Sequence, residues 1–233
     1  MNKFIAFIRH GDYEQLANTP SAMQPFPLKE AGRQQALKGS ELVLDFLKQK
    51  NLQLHPTLFS SILLRAWQTT ELMQSRFSGC SKKPLAISSH EELVERRVGN
   101  VANLSIQQIE DIIKNDPRYD SPPEGWKSNS HYCLPFPGAE SLMQAGQRVA
   151  NFVDQEAAHL AEGELMLFIG HGAAFRHAAH HMGCMDSHKI ATYSMYHAKP
   201  VFFQQVTDAA GKPQWLTYDE NLWKLRHKET FND

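Results

Sequence analysis

Two histidines of this chain each stand where an apolar run stops. Phe4-Ile5-Ala6-Phe7-Ile8 ends in Arg9-His10-Gly11, and Leu165-Met166-Leu167-Phe168-Ile169 ends in Gly170-His171-Gly172. A cation or imidazole at the carboxyl end of a strand lies where open α/β sheets build their sites, and a neighbouring glycine lets the backbone come close to a ligand. A third segment runs from Phe59-Ser60-Ser61 into Arg65-Ala66-Trp67-Gln68-Thr69-Thr70, with Arg65 near the start of a helix whose N–H groups favour an anion. In a fourth, Leu93-Val94-Glu95-Arg96-Arg97-Val98-Gly99, a carboxylate sits between apolar residues and two arginines. These residue types suit phosphoryl transfer. A neutral imidazole nitrogen attacks phosphorus, arginine forks hold the phosphate oxygens, and a carboxyl group gives and then takes a proton. Singly, each segment also reads as a strand ending in polar residues or as a surface charge cluster.

Taken in order, Arg9-His10-Gly11, Ser61-x-x-x-Arg65-Ala66-x-Gln68-Thr69, Glu95-Arg96-Arg97-x-Gly99 and Gly170-His171-Gly172 resemble the histidine phosphatase superfamily, the phosphoglycerate mutase-like group. Two further segments are similar to the family's: Pro27-Leu28-Lys29-Glu30-Ala31-Gly32-Arg33-Gln34-Gln35-Ala36 and Pro137-Gly138-Ala139-Glu140-Ser141. The resemblance implies a three-layer α/β/α sandwich about a mostly parallel sheet. It implies His10 as the nucleophile that carries phosphohistidine, with Arg9, Arg65 and His171 holding the phosphoryl group and Glu95 as the proton donor and acceptor. Arg96 is an expected substrate contact, with a surface salt bridge as the alternative. Asp12 follows Gly11 where many members have glutamate; a helix cap and a contribution to site electrostatics are both open to it.

Within the superfamily the division is between mutase and phosphatase. Arg118-Tyr119-Asp120-Ser121-Pro122-Pro123 is similar to a segment of the cofactor-dependent mutases, but the mutase arginine pair falls on Asp116-Pro117, its lysine on Ile106, and its asparagines on Leu16 and Ala173. A mutase must retain a carboxylated phosphoester while it turns round, so losing these polar contacts favours water as the acceptor. The expected activity is therefore hydrolysis of phosphomonoesters without a metal or cofactor. Mutase-type phosphotransfer and an inactive phospho-ligand binder are the alternatives. His177 and His181, four apart on a helix, have metal-ligand spacing, but no glutamate follows His177 and Arg176 opposes a cation, so ordinary helix histidines are expected and no metal site is assigned.

The elements that must position these residues alternate as in an α/β protein. Strands are expected near residues 3 to 9, 57 to 60, 85 to 88 and 165 to 170. A helix after Lys29 runs through Ala36, Leu37, Leu42, Leu44 and Leu47 and packs on the sheet. Residues 200 to 206 and 214 to 218 read as a hairpin at a sheet edge, turned by Asp208-Ala209-Ala210-Gly211-Lys212. One domain over residues 1–233 is expected, with residues 115–136 as an irregular, proline-rich insertion that reads as a lid. Within it, Tyr119, Trp126, His131 and Tyr132 either touch an organic leaving group or pin the loop.

The 233 residues carry a formal charge of −1, which leaves no overall basic footprint for nucleic acid. The three cysteines, Cys80, Cys133 and Cys184, have neither disulfide-framework nor zinc-knuckle spacing. No secretory leader and no membrane-length run is read, so a cytoplasmic protein is expected. The expected partner is a small phosphorylated substrate or a phosphoprotein. Homodimers occur among related proteins, but no apolar stripe here marks an interface.

Overall fold

The computed structural model describes residues 2–19 and 23–226. In chain order the main elements are β1 (Phe4–Arg9), α1 (Glu30–Lys50), β2 (Gln53–Ser61), α2 (Leu64–Gln74), β3 (Ala86–His90), α3 (Ile106–Asn115), α4 (Leu142–Ala157), β4 (Glu164–Gly170), α5 (Gly172–His181), α6 (Ser187–Ile190), β5 (Tyr193–Ser194), β6 (Pro200–Thr207), β7 (Pro213–Thr217) and β8 (Lys224–Leu225). Six strands form the central sheet in the order β3-β2-β4-β1-β6-β7, and β5 pairs with β8 separately. The four strands from β3 to β1 are parallel, whereas β6 and β7 close the other edge antiparallel, as the hairpin pattern predicts. The fold is α/β, with a mostly parallel sheet flanked by helices.

β1 and β4 are apolar runs buried on both faces, the pattern of central strands covered by helices on each side. Alternation divides their side chains between two cores. Ile5, Phe7, Met166 and Phe168 face α4 and α5, while Phe4, Ala6, Ile8, Leu165, Leu167 and Ile169 face α1 and α2. Phe168 lies in an aromatic layer, stacked on Phe59 at 5.2 Å and edge-on to Phe7 and Phe152, each at 6.2 Å between centroids. The pairing of Arg9 with Gly170 ends both strands at one level, so His10 and His171 emerge side by side.

The buried stripe of α1 is Gly32, Ala36, Gly39, Ser40, Val43, Phe46 and Leu47. Leu42, expected on that face, is exposed, because a helical turn carries it off the line set by Ala36, Val43 and Leu47. Gly11 answers to the same helix. A Cβ there would lie 2.4 Å from the Gly32 carbonyl oxygen, so this glycine serves the close approach of α1 rather than that of a ligand.

The 115–136 segment packs over a third, smaller core. Trp126 is buried with Val98, Val101, Ile109, Ile113 and Leu134, while Tyr119 and Tyr132 pack beside it. The Trp126 indole N–H donates to Glu110 of α3 at 3.0 Å. Trp126, Tyr119 and Tyr132 therefore pin the loop, His131 is exposed, and none of these four residues lines the cleft described below. Helix α3, which the strand and helix alternation does not announce, starts in a reciprocal capping box between Ser105 and Gln108. Among the described residues, no helix is long and apolar enough to cross a membrane.

Phe168→Ala is expected to cost about 3–5 kcal/mol, since it empties the centre of the aromatic layer. Urea unfolding of parent and variant measures this as a lower midpoint at an unchanged slope.

Candidate active site

Arg9, His10, Arg65, Glu95, Arg96 and His171 all line one cleft at the carboxyl ends of β1 and β4. Residues as far apart in sequence as Arg9 and His171 meet there, and the buried guanidinium of Arg65 joins the two histidines. Its Nε donates to His10 Nε2 at 3.1 Å, one Nη donates to His171 Nδ1 at 3.2 Å, and the other donates to the Gln24 carbonyl at 3.1 Å. Guanidinium only donates, so the two ring nitrogens it meets must carry lone pairs. The other nitrogen of each ring then bears the proton. His10 Nδ1–H donates to the Gly11 carbonyl at 2.7 Å, and His171 Nε2–H donates to Ser61 Oγ at 2.9 Å. His10 Nε2 is thus a lone pair aimed into a cationic cleft.

Burial, reinforced by Arg65 and Arg9, holds both histidines well below the ordinary histidine pKa and keeps them neutral. Burial also lowers Arg65, to about 10. The backbone beneath is tied down. His10 N–H donates to the Gly170 carbonyl, Gly11 N–H to Thr69 Oγ1 at 3.0 Å, and Thr69 Oγ1–H to the Arg65 carbonyl at 2.7 Å. Arg9 donates to the Met195 carbonyl at 3.2 Å.

Glu95 sits across the start of α5. Its Oε2 accepts from Ala173 N–H at 3.0 Å, and its Oε1 accepts from Ala174 N–H at 2.8 Å and Arg96 N–H at 3.0 Å. The carboxylate therefore caps the positive end of the helix that begins just after His171. Behind it, Arg148 pairs with Glu140 and donates to the carbonyls of Glu92, Val94 and Glu95. The Pro137–Ser141 segment thus supplies the clamp on this loop, and its last residue caps α4.

Arg96 is buried, with its guanidinium 5.8 Å from the Trp126 ring centroid, which rejects the surface salt bridge for it. That description fits Arg97 instead, at 3.3 Å from Glu91. Arg118 lies outside the cleft, in an exposed 2.6 Å pair with Asp116. Asp12 lines the cleft and pairs with Lys29 at 3.4 Å, and no side chain caps α1.

The spaced histidines of α5 are packed helix residues. His177 Nδ1 bonds to the Ala173 carbonyl and Nε2 to Ser130, His181 Nε2 bonds to the Met143 carbonyl, and burial lowers His177 to a pKa of about 3. Among the described residues, no cluster of three or more histidine, cysteine, aspartate or glutamate side chains has metal-binding geometry.

Sequence reasoning missed Tyr13, whose ring lies 4.4 Å from the Arg65 guanidinium carbon and edge-on to His10 at 5.2 Å. Its position three residues after His10 was the available signal. It also missed His197, which donates to the His10 carbonyl at 2.8 Å. No local pattern marks that residue, since only the pairing of β6 with β1 brings it close.

The fold is α/β with a histidine- and arginine-lined cleft at its strand ends, and the sequence matches the model of the histidine phosphatase superfamily (branch 1) over residues 5–210. The chain belongs to that superfamily. A 2,3-bisphosphoglycerate-dependent phosphoglycerate mutase of Parvibaculum lavamentivorans is 22% identical over 209 residues, covering 88% of this chain and 91% of the mutase. The chain is similar in fold to a mycobacterial glucosyl-3-phosphoglycerate phosphatase, with a TM-score of 0.65, 18% identity and 96% of each chain covered. It is likewise similar to an alpha-ribazole phosphatase of Shigella flexneri, with a TM-score of 0.62, 17% identity, and 96% of this chain and 94% of the other covered.

The buried neutral histidines make stability depend on pH. His10, His171 and His177 bind protons less readily folded than unfolded, so the unfolded chain takes up more protons as pH falls below about 6.5, and stability is lost on the acid side. Each contributes a slope of about 1.4 kcal/mol per pH unit where only its unfolded form is protonated. Thermal unfolding between about pH 6 and pH 5 is expected to show a Tm that falls steeply with acid, and His177→Gln removes one of the three contributions.

Proposed function

We propose that this protein hydrolyses small phosphomonoesters through a phosphohistidine on His10. The observation that carries this reading is the His10 Nε2 lone pair, held by one side of a buried guanidinium whose other side meets a second neutral histidine. Family membership and phosphatases among the structural neighbours support it. A phosphoryl group entering the cleft takes over the Arg65 and Arg9 donors, which frees Nε2 to attack in line. Nε2 forms the N–P bond as the P–O bond to the leaving group breaks, and a protonated Glu95 gives the leaving oxygen its proton. Glu95 then takes a proton from water, the hydroxyl oxygen attacks phosphorus, the N–P bond breaks, and His10 returns to its neutral state. Oε2 of Glu95 accepts one backbone N–H, so a second lone pair remains for that proton.

Charge accumulates on the phosphoryl oxygens in this mechanism, so preset donors supply most of the rate. Arg9, Arg65 and His171 serve this purpose, and the reaction as written needs neither metal nor cofactor. The similarity to a mutase favours phosphotransfer between substrate hydroxyls as the second reading. Against it stand Arg118, outside the cleft, and the absence of a cation at Ile106. One domain over residues 1–233, with 115–136 as its lid, and a cytoplasmic location complete the proposal; three free cysteines support a reducing compartment.

In the presence of chelator, release of phosphate from an aryl phosphate is expected from the parent and not from His10→Ala, and acid quenching of the parent is expected to trap acid-labile phosphoprotein. Activity that survives His10→Ala would falsify the mechanism. Arg65→Lys is expected to lower kcat by roughly 10²-fold or more, and Glu95→Gln by about 10²–10⁴-fold. An aryl leaving group needs little protonation, so an alkyl phosphate should show the larger Glu95→Gln defect.

A further inference from the structure

Arg65 is held in two chemically different ways. Its N–H groups donate to His10 Nε2, His171 Nδ1 and the Gln24 carbonyl. A phosphoryl group that enters the cleft takes over the donors that serve the two imidazoles, so those bonds open in every cycle. The second hold is the ring of Tyr13, over which the guanidinium carbon lies 4.4 Å from the centroid. A ring face attracts a cation through its quadrupole and uses none of the N–H donors. That contact therefore persists while the hydrogen-bond acceptors change.

The same ring reaches the nucleophile. It stands perpendicular to the His10 imidazole with the centroids 5.2 Å apart, and it lines the cleft. Tyr13 is buried, and its backbone is tied to the helix that carries Arg65. It bridges to Leu28, whose N–H donates to Gln68 Oε1 of α2 at 2.8 Å, and the N–H of Glu14 donates to the Pro27 carbonyl at 3.1 Å. Packing and backbone bonds thus set the ring before any ligand arrives.

Resting on the phosphatase reading above, we infer that Tyr13 is a positioning residue for phosphoryl transfer, whose ring keeps the Arg65 guanidinium and the His10 imidazole aligned while the bond between them opens to admit the phosphoryl group. A guanidinium released by two acceptors is otherwise free to turn on its long side chain, and a donor displaced from the developing charge costs rate more than affinity. A desolvated cation over a ring is worth a factor of about 5 to 30 in rate.

The test varies the charge on the ring face at constant shape. Phenylalanine and its mono-, di- and trifluorinated analogues replace Tyr13, because each fluorine withdraws electron density from the face and leaves the packing nearly as it was. With an aryl phosphate, kcat and the acid-quench rate of phosphoprotein formation are expected to fall stepwise along the series, by about 5- to 30-fold in all, while KM and Tm stay nearly constant. Tyr13→Leu is expected to show the full loss, and Tyr13→Phe to recover most of it. The fluorinated series decides the matter even where Tyr13→Leu fails to fold. Rates that stay flat along the series, or a loss confined to KM or to Tm, overturn the inference and leave the phosphatase reading standing, since the His10→Ala comparison decides that reading separately. If no phosphoester is turned over, the phosphatase reading fails, and titration calorimetry of orthovanadate into the same series decides the alignment of Arg65 alone. Binding that weakens with each fluorine supports it, and constant affinity rejects it.

Discussion

A guanidinium taken out of water must find an acceptor for each face of its fork, and the site is organised by how Arg65 meets that demand. Two of its acceptors are imidazole lone pairs, so His10 and His171 are held neutral, and their remaining protons go to the Gly11 carbonyl and Ser61 Oγ. One buried cation thereby sets two tautomers and points the His10 Nε2 lone pair into the cleft. The arrangement depends on the register of β1 with β4, since a one-residue slip would turn the end of one strand to the other face. It depends equally on Thr69, which ties the turn after His10 to the helix that carries Arg65.

Glu95 has a different kind of support. It lies on an irregular stretch, and its position comes from the first N–H groups of α5 in front and from the Arg148–Glu140 pair behind. The same helix therefore starts beside His171, a proposed phosphate ligand, and holds Glu95, the proposed proton carrier, with its N-terminal amides. Placing both functions at one helix end fixes their separation without any direct contact between them. The clamp also explains why a Pro-Gly-Ala-Glu-Ser segment far along the chain belongs to the site although only Leu142, just beyond it, reaches the cleft wall.

The second layer of the cleft is built by satellite packing. Trp126 is in the small core beneath residues 115–136, and its burial is what brings Lys127 and Ser128 to the cleft. An aromatic side chain in an irregular loop has two possible uses, contact with a ligand or anchorage of the loop. Here anchorage wins, because Trp126 is buried in one apolar core with Val98, Val101, Ile109, Ile113 and Leu134.

The sequence by itself determined the strands, because β1 and β4 are unbroken apolar runs and β6 and β7 flank a turn of aspartate, glycine and lysine. It also determined the ordered motifs that single out Arg9, His10, Arg65, Glu95 and His171, since each stands at a strand end, a helix start or a break in an apolar run. Local pattern misled where helical phase decides burial, as at Leu42, and where one residue type has two uses, as with the loop aromatics and with Gly11, which serves Gly32 of α1. Only the tertiary structure decided which nitrogen of each histidine is protonated, which arginine of the Arg96-Arg97 pair turns inward, and that His197, Lys127 and Arg226 share the cleft. These are contacts between residues remote in sequence, set by strand register and helix packing, and no neighbouring residue carries a trace of them.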